Sequence, residues 1–252
     1  MKSRIVFIGL ALASASCSNM PWQRQRDVDR DLVAHVADSD RSGIEEARAA
    51  RNQAADAWDA AKRNTEIAKD QLSLARKEAD VAEAELDMSL AAVKMAEKGT
   101  TEELAKAKEA QHEHELIEKC VEERIEWREL DVERSKARAE LSERRLELTE
   151  AQVELARAQA VRALDRPEAK QVDVGDYEYA VRKHEKAVAM AELEVDAVER
   201  EARLAHEKFE RAVGVVPASY RTRSANLDTE VVYKDDGYEP ADRRATTLGS
   251  KN

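Results

Sequence analysis

The sequence predicts an all-α protein: a long antiparallel coiled-coil hairpin, a third helix packed along its base, and a disordered C-terminal tail. Three observations lead there. Alanine recurs every seven residues from Ala47 to Ala96, with Ser89 in its place once, stop and start signals for helices stand back to back at residues 98–103, and a second heptad seam follows a proline-containing break. Composition agrees. Of the 252 residues 38% are charged and 4% aromatic, with seven Gly and four Pro, a balance that favours long helices over a compact core rich in large apolar side chains.

The first helix is predicted over about 42–98. Ala47, Ala54, Ala61, Ala68, Ala75, Ala82, Ser89 and Ala96 lie seven apart, and Trp58, Thr65, Leu72, Ala79, Leu86 and Val93 fill the alternating positions. This three-and-four spacing is a coiled-coil seam, and small residues along one line let a neighbouring helix approach closely. Gly99 is expected as a left-handed helix stop, and Thr100 with Glu103 forms a capping box for the next helix. The expected result is a hairpin that sets residue i beside about 199 − i, with Trp58 opposite Leu141 and Leu72 opposite Trp127. A kinked continuous helix is the alternative.

The second helix, about 101–164, carries two apolar stripes past residue 120. One holds Cys120, Trp127, Leu130, Ala137, Leu141, Leu148, Ala151, Leu155 and Ala158; the other holds Val121, Ile125, Val132, Ala139, Leu146, Val153 and Ala160. At 100° per residue the stripes are ~140° apart, so this helix meets two partners. A loop containing Pro167 follows, then a third helix over about 177–213 with the seam Val181, His184, Val188, Ala191, Val195, Val198, Ala202, Ala205, Phe209 and Ala212, ended by Gly214 and Pro217. Relative lengths leave the distal hairpin, about 73–126, two-stranded. Residues 40–213 thus form the helical domain. The polar tail, 214–252, lacks the apolar surface needed to fold.

Ahead of the helices stands MKSRIVFIGLALASASC: basic Lys2 and Arg4, an apolar run from Ile5 to Ala15, then small residues. This is the layout of a signal peptide, over 1–16, and the run is too short to span a bilayer. Ser14-Ala15-Ser16-Cys17 resembles the lipobox of bacterial lipoproteins, with Ser14 where that family usually has leucine. The resemblance covers about the first 18 residues. It implies that Cys17 becomes the first mature residue and carries the lipid, so that 17–39 is lipid-anchored, and, since Ser18 follows the cysteine, that the outer membrane is the destination. Pro21, Trp22 and the mixed charges of DVDRD make this segment a tether with at most a short helix. Cleavage after Ala15 at Ala13-Ser14-Ala15, giving a soluble periplasmic protein, is the alternative, as is retention at the inner membrane.

The net charge of −11 and the absence of basic runs argue against nucleic acid and against unaided binding to anionic membranes. Lipidation of Cys17 would leave Cys120 single and best buried on its seam; a Cys17–Cys120 bridge or an intermolecular pair is the alternative. Glu109-Ala110-Gln111-His112 matches Glu-x-x-His, the ligand pattern of di-iron bundles, but no second copy exists. His112 and His114 point ~200° apart on a helix and cannot share an ion. His184 on the third seam reads as a polar spacer more readily than as a pH switch. No phosphate loop, nucleophile elbow or Cys-x-x-Cys is present. The expectation is therefore no enzyme, no cofactor and no metal, and a structural protein of the bacterial cell envelope. Its partners are the membrane, through the lipid on Cys17, and an envelope protein or the cell wall. An accessory of an export or efflux assembly that binds through the helical tip, and a periplasmic holdase, are the other readings.

Overall fold

A computed structural model describes residues 27–222; the leader, Cys17 and the segment 223–252 lie outside the described residues. A short helix α1 (Arg30–Ala34) and a 3₁₀ turn lead into α2 (Ser42–Ala96), α3 (Thr101–Arg162), a second 3₁₀ turn and α4 (Val174–Val215). There is no strand among the described residues. At 1.5 Å per residue α2 and α3 are each ~80–95 Å long.

The hairpin is present. Thr100 Oγ1 accepts from Glu103 N at 3.2 Å, and Glu103 Oε2 accepts from Thr100 N at 2.7 Å, so the capping box nucleates α3 directly after α2 ends. Gly99 is not left-handed, contrary to the sequence expectation; a Cβ there would overlap the Glu103 carboxylate, so the glycine makes room for the cap. Cross-helix pairs fix the register. Arg51 meets Glu150 at 3.3 Å, Thr65 Oγ1 donates to the Ser135 carbonyl at 3.2 Å, and Arg128 Nη1 donates to Gln71 at 2.7 Å. Residue i therefore lies beside roughly residue 200 − i, an antiparallel pairing throughout. The alanine line is the contact: Ala68, Ala75, Ala82 and Ser89 are all buried.

α3 is the middle helix. It packs along α2 on one side and α4 on the other, while α2 and α4 share almost no close backbone contact. The two stripes of α3 account for this. Leu141 packs with Ala191 and Val195 of α4, and Trp127 stacks on Phe209 of α4 at 5.2 Å between centroids. Both belong to the stripe turned to α4, so the expected facing of Trp58 to Leu141 and Leu72 to Trp127 is corrected in phase although the register is right. Side chains facing α2 come from the other stripe, where Val121, Val132 and Val153 are buried.

Several boundaries differ from expectation. α4 begins at Val174, capped by the Asp173 carboxylate accepting from Gly175 N at 2.9 Å, and continues through Gly214 to Val215. A proline restricts the residue before it: Val216, preceding Pro217, is held extended at ψ 158°, and that ends the helix. Residues 214–222 do not belong to a tail; after Pro217 a helical turn at 218–222 folds back and buries Tyr220. Because Phe209, Val216 and Tyr220 join Ala82, Ile117, Cys120 and Val121 in one cluster, the two-stranded part is shorter than 73–126 and covers about 83–116. The expected tether is also part of the fold from Val28 onward. Val28 and Val36 are buried against Ala158, Val161 and Ala169, and Val28 N donates to Glu154 at 3.1 Å.

Candidate functional site

The most distinctive site is a buried polar junction where the chain after α4 crosses α3 to reach α2. Glu78 of α2, Arg124 of α3 and Tyr220 are 6%, 3% and 5% exposed. One Glu78 oxygen accepts from the Arg124 guanidinium, and the other accepts from Tyr220 Oη at 2.8 Å. Three separate segments are thus tied through one carboxylate. A second cluster lies one turn toward the base. Arg128 donates to Gln71 and to Asp131 (3.3 Å), Asp131 also holds Arg134, and the Arg128 guanidinium lies 3.9 Å from the centroid of the Trp127 ring. Trp127 in turn is sandwiched against Phe209 and His206 of α4.

Charges buried this deeply are stable only when paired, since an unpaired ion in a low dielectric costs several kcal/mol. The junction's thiol and hydroxyl are both held in their protonated forms. Cys120 is fully buried beside it, and burial first, then the Glu78 charge, pushes its thiol up to about 11. At neutral pH it stays protonated and is a poor nucleophile. Burial, followed by Glu78, raises the Tyr220 hydroxyl well above its ordinary value, so it donates rather than ionises.

The other candidates are dispersed. His112 is exposed, with Nδ1 3.8 Å from Glu115, and His114 sits half-buried, 3.9 Å from Glu85 on α2. Glu109 is exposed. Among the described residues no group of three or more His, Cys, Asp or Glu side chains is placed to hold a metal ion. His184 is half-buried with Nδ1 3.6 Å from Glu147, in a groove of about 590 Å³ lined also by Arg48, Arg51 and Glu154. A second groove, about 500 Å³, runs beside Trp58, whose ring face is covered by Lys62 Nζ at 3.7 Å. Cys17, the expected lipidation residue, lies outside the described residues.

Sequence reasoning missed Glu78, Arg124, Asp131 and Tyr220. A signal existed for two of them. Ile117, Arg124 and Asp131 are seven apart, on the strip of α3 between its two stripes, and a strip flanked by partners on both sides is sheltered. Tyr220 carried no such pattern. No helix among the described residues is long and apolar enough to cross a membrane. The chain matches no protein-family model, no curated protein and no solved structure. Its class rests on architecture alone: a coiled-coil hairpin braced by a third helix.

Proposed function

We propose that the protein is a lipid-anchored periplasmic coiled-coil spacer or binding scaffold of a bacterial cell envelope, held in the outer membrane by lipid on Cys17. The observation that carries this reading is where the N-terminal segment joins the fold. Val28 and Val36 pack against Ala158 and Val161, at the end of the hairpin remote from Gly99. Asp27 is ten positions after Cys17, a reach of at most ~35 Å. An anchor at Cys17 would therefore hold the base at the membrane and carry the tip outward, beyond the junction, by the length of the two-helix segment.

Exposed Met88 and Met95 on that segment favour a second reading, in which the tip docks on a helical component of an export or efflux assembly. The test has two arms. Cys17→Ser should move the protein from the membrane to the soluble fraction; unchanged fractionation would sink the anchored reading. Mild crosslinking and pull-down then separate the roles: cell-wall fragments support the spacer, and one stoichiometric helical protein supports the assembly component.

A further inference from the structure

α2 carries a second heptad line that nothing among the described residues covers. Ala75, Ala82 and Ser89 face α3 and are buried; the residue before each is turned by 100° and points elsewhere. Those residues are Leu74, Val81 and Met88, followed by Met95. Leu74 is half-buried, whereas Val81, Met88 and Met95 are 40%, 65% and 77% exposed. Between them, at the three-and-four spacing of a seam, stand Lys77, Ala84, Ala91 and Lys98. The line is therefore large, small, large, small along the two-helix tip. Its flank is charged in one direction, with Asp80 and Asp87 toward the base and Lys94 toward the turn. All three are exposed, and neither Asp80 nor Lys94 makes an ion pair among the described residues.

We propose that this face pairs with the same face of a second copy, antiparallel, so that two tips overlap side by side. Residue i then faces roughly residue 172 − i of the second copy, in the alternating layers of an antiparallel seam. Val81 sits over Ala91 of the second copy and Met88 over its Ala84, each large side chain filling the space left by a small one. Leu74 and Met95 meet Lys98 and Lys77, whose methylene stems cover apolar surface while their amines reach water. On the flank Asp80 faces Lys94 of the second copy, twice by symmetry, and these two attractive pairs bracket the exposed Asp87, which meets its own counterpart at the two-fold axis. Parallel pairing fails on both counts. It stacks Lys77 on Lys77, sets Ala84 opposite Ala84, and brings Asp80 beside Glu85. Antiparallel pairing sets the two bases at opposite ends, so copies standing side by side on one membrane cannot form it and it belongs to the unanchored chain. Failure here would show in molecular mass, and failure of anchoring would show in fractionation.

The full chain carrying Cys17→Ser and Cys120→Ala serves as the background. Light scattering after gel filtration should give twice the mass of the 28.3 kDa chain. Met88→Glu, at an exposed position, should leave the hairpin helical by circular dichroism and weaken dimerisation tenfold or more, because it buries an unpaired charge in the seam. Chains with Asp80→Cys mixed with chains with Lys94→Cys should form a disulfide between copies, while neither crosslinks with itself. A monomer at all concentrations, or a dimer indifferent to Met88→Glu, overturns the proposal. So does a monomer in which position 88 crosslinks to residues 223–252, which would assign the face to the chain's own C-terminal segment.

Discussion

The junction and the tip use the same two helices and the same alanine line, yet they are stabilised differently. Around Glu78 and Arg124, α2 and α3 are joined by α4 and by the turn that carries Tyr220, and charged side chains are 3–6% exposed. Beyond Ala82 and Ile117 the hairpin stands alone, its seam reduced to buried Ser89 and half-buried residues such as Leu86, Val93 and Leu104. Acidic side chains crowd its lower end. Glu118 is raised above its ordinary value of 4.5 by burial first, then by Glu122, Glu83, Asp87 and Glu115. A third element therefore decides whether a coiled coil can shelter charge or must leave it in water.

Removing one partner from the junction is the strongest way to break this contrast. Glu78→Ala leaves Arg124 buried without its carboxylate and should cost about 3–5 kcal/mol in thermal or denaturant unfolding. Replacing Glu78 and Arg124 together by methionine should cost much less, because no orphan charge remains. Equal losses for the single and double variants would mean that the pair is hydrated.

Tyr220→Phe removes a hydroxyl that donates to a buried carboxylate and should cost about 1.5–3 kcal/mol. It should also loosen the crossing turn and speed maleimide labelling of Cys120. Unchanged labelling would show that the turn does not shield the thiol.

Ala75 is 1% exposed between α2 and α3, so Ala75→Leu is expected to lose about 1–3 kcal/mol by overpacking. The exposed Lys69→Leu should be near neutral. Equal unfolding midpoints for the two variants would place Ala75 outside the seam.

The smallest effect probes the tip. A carboxyl whose folded pKa is raised stabilises the fold below the unfolded value and loses that contribution as pH rises through the folded one. Glu118→Gln, which removes the charge, should thus stabilise at pH 7 by about 0.2–0.5 kcal/mol, the scale of a like-charged i, i+4 pair such as Glu118 and Glu122. The gain should vanish near pH 4, and a gain that persists there would assign the effect to packing.

Much of this architecture is local information. The seven-residue alanine repeat, the Thr100–Glu103 box and the seam from Val181 to Ala212 each depend on neighbours in sequence. They determined by themselves that three long helices form, at which residues the chain can reverse, and the register a reversal there would set, while cross-helix pairs such as Thr65 with Ser135 decided the hairpin over a kinked helix. The two stripes of α3 likewise required two partners, though not which stripe each partner takes. Only the tertiary structure decided that Trp127 and Leu141 turn to α4, because helical phase fixes an angle between stripes and not the identity of what fills it. Only it decided that the chain past Pro217 folds back, since Val216 and Tyr220 find apolar cover on α2 and α3 that no local pattern announces. And only it decided that Glu78 and Arg124 are interior: charge at a seam's edge is solvated in a two-helix pair, and becomes buried when a third segment closes over it.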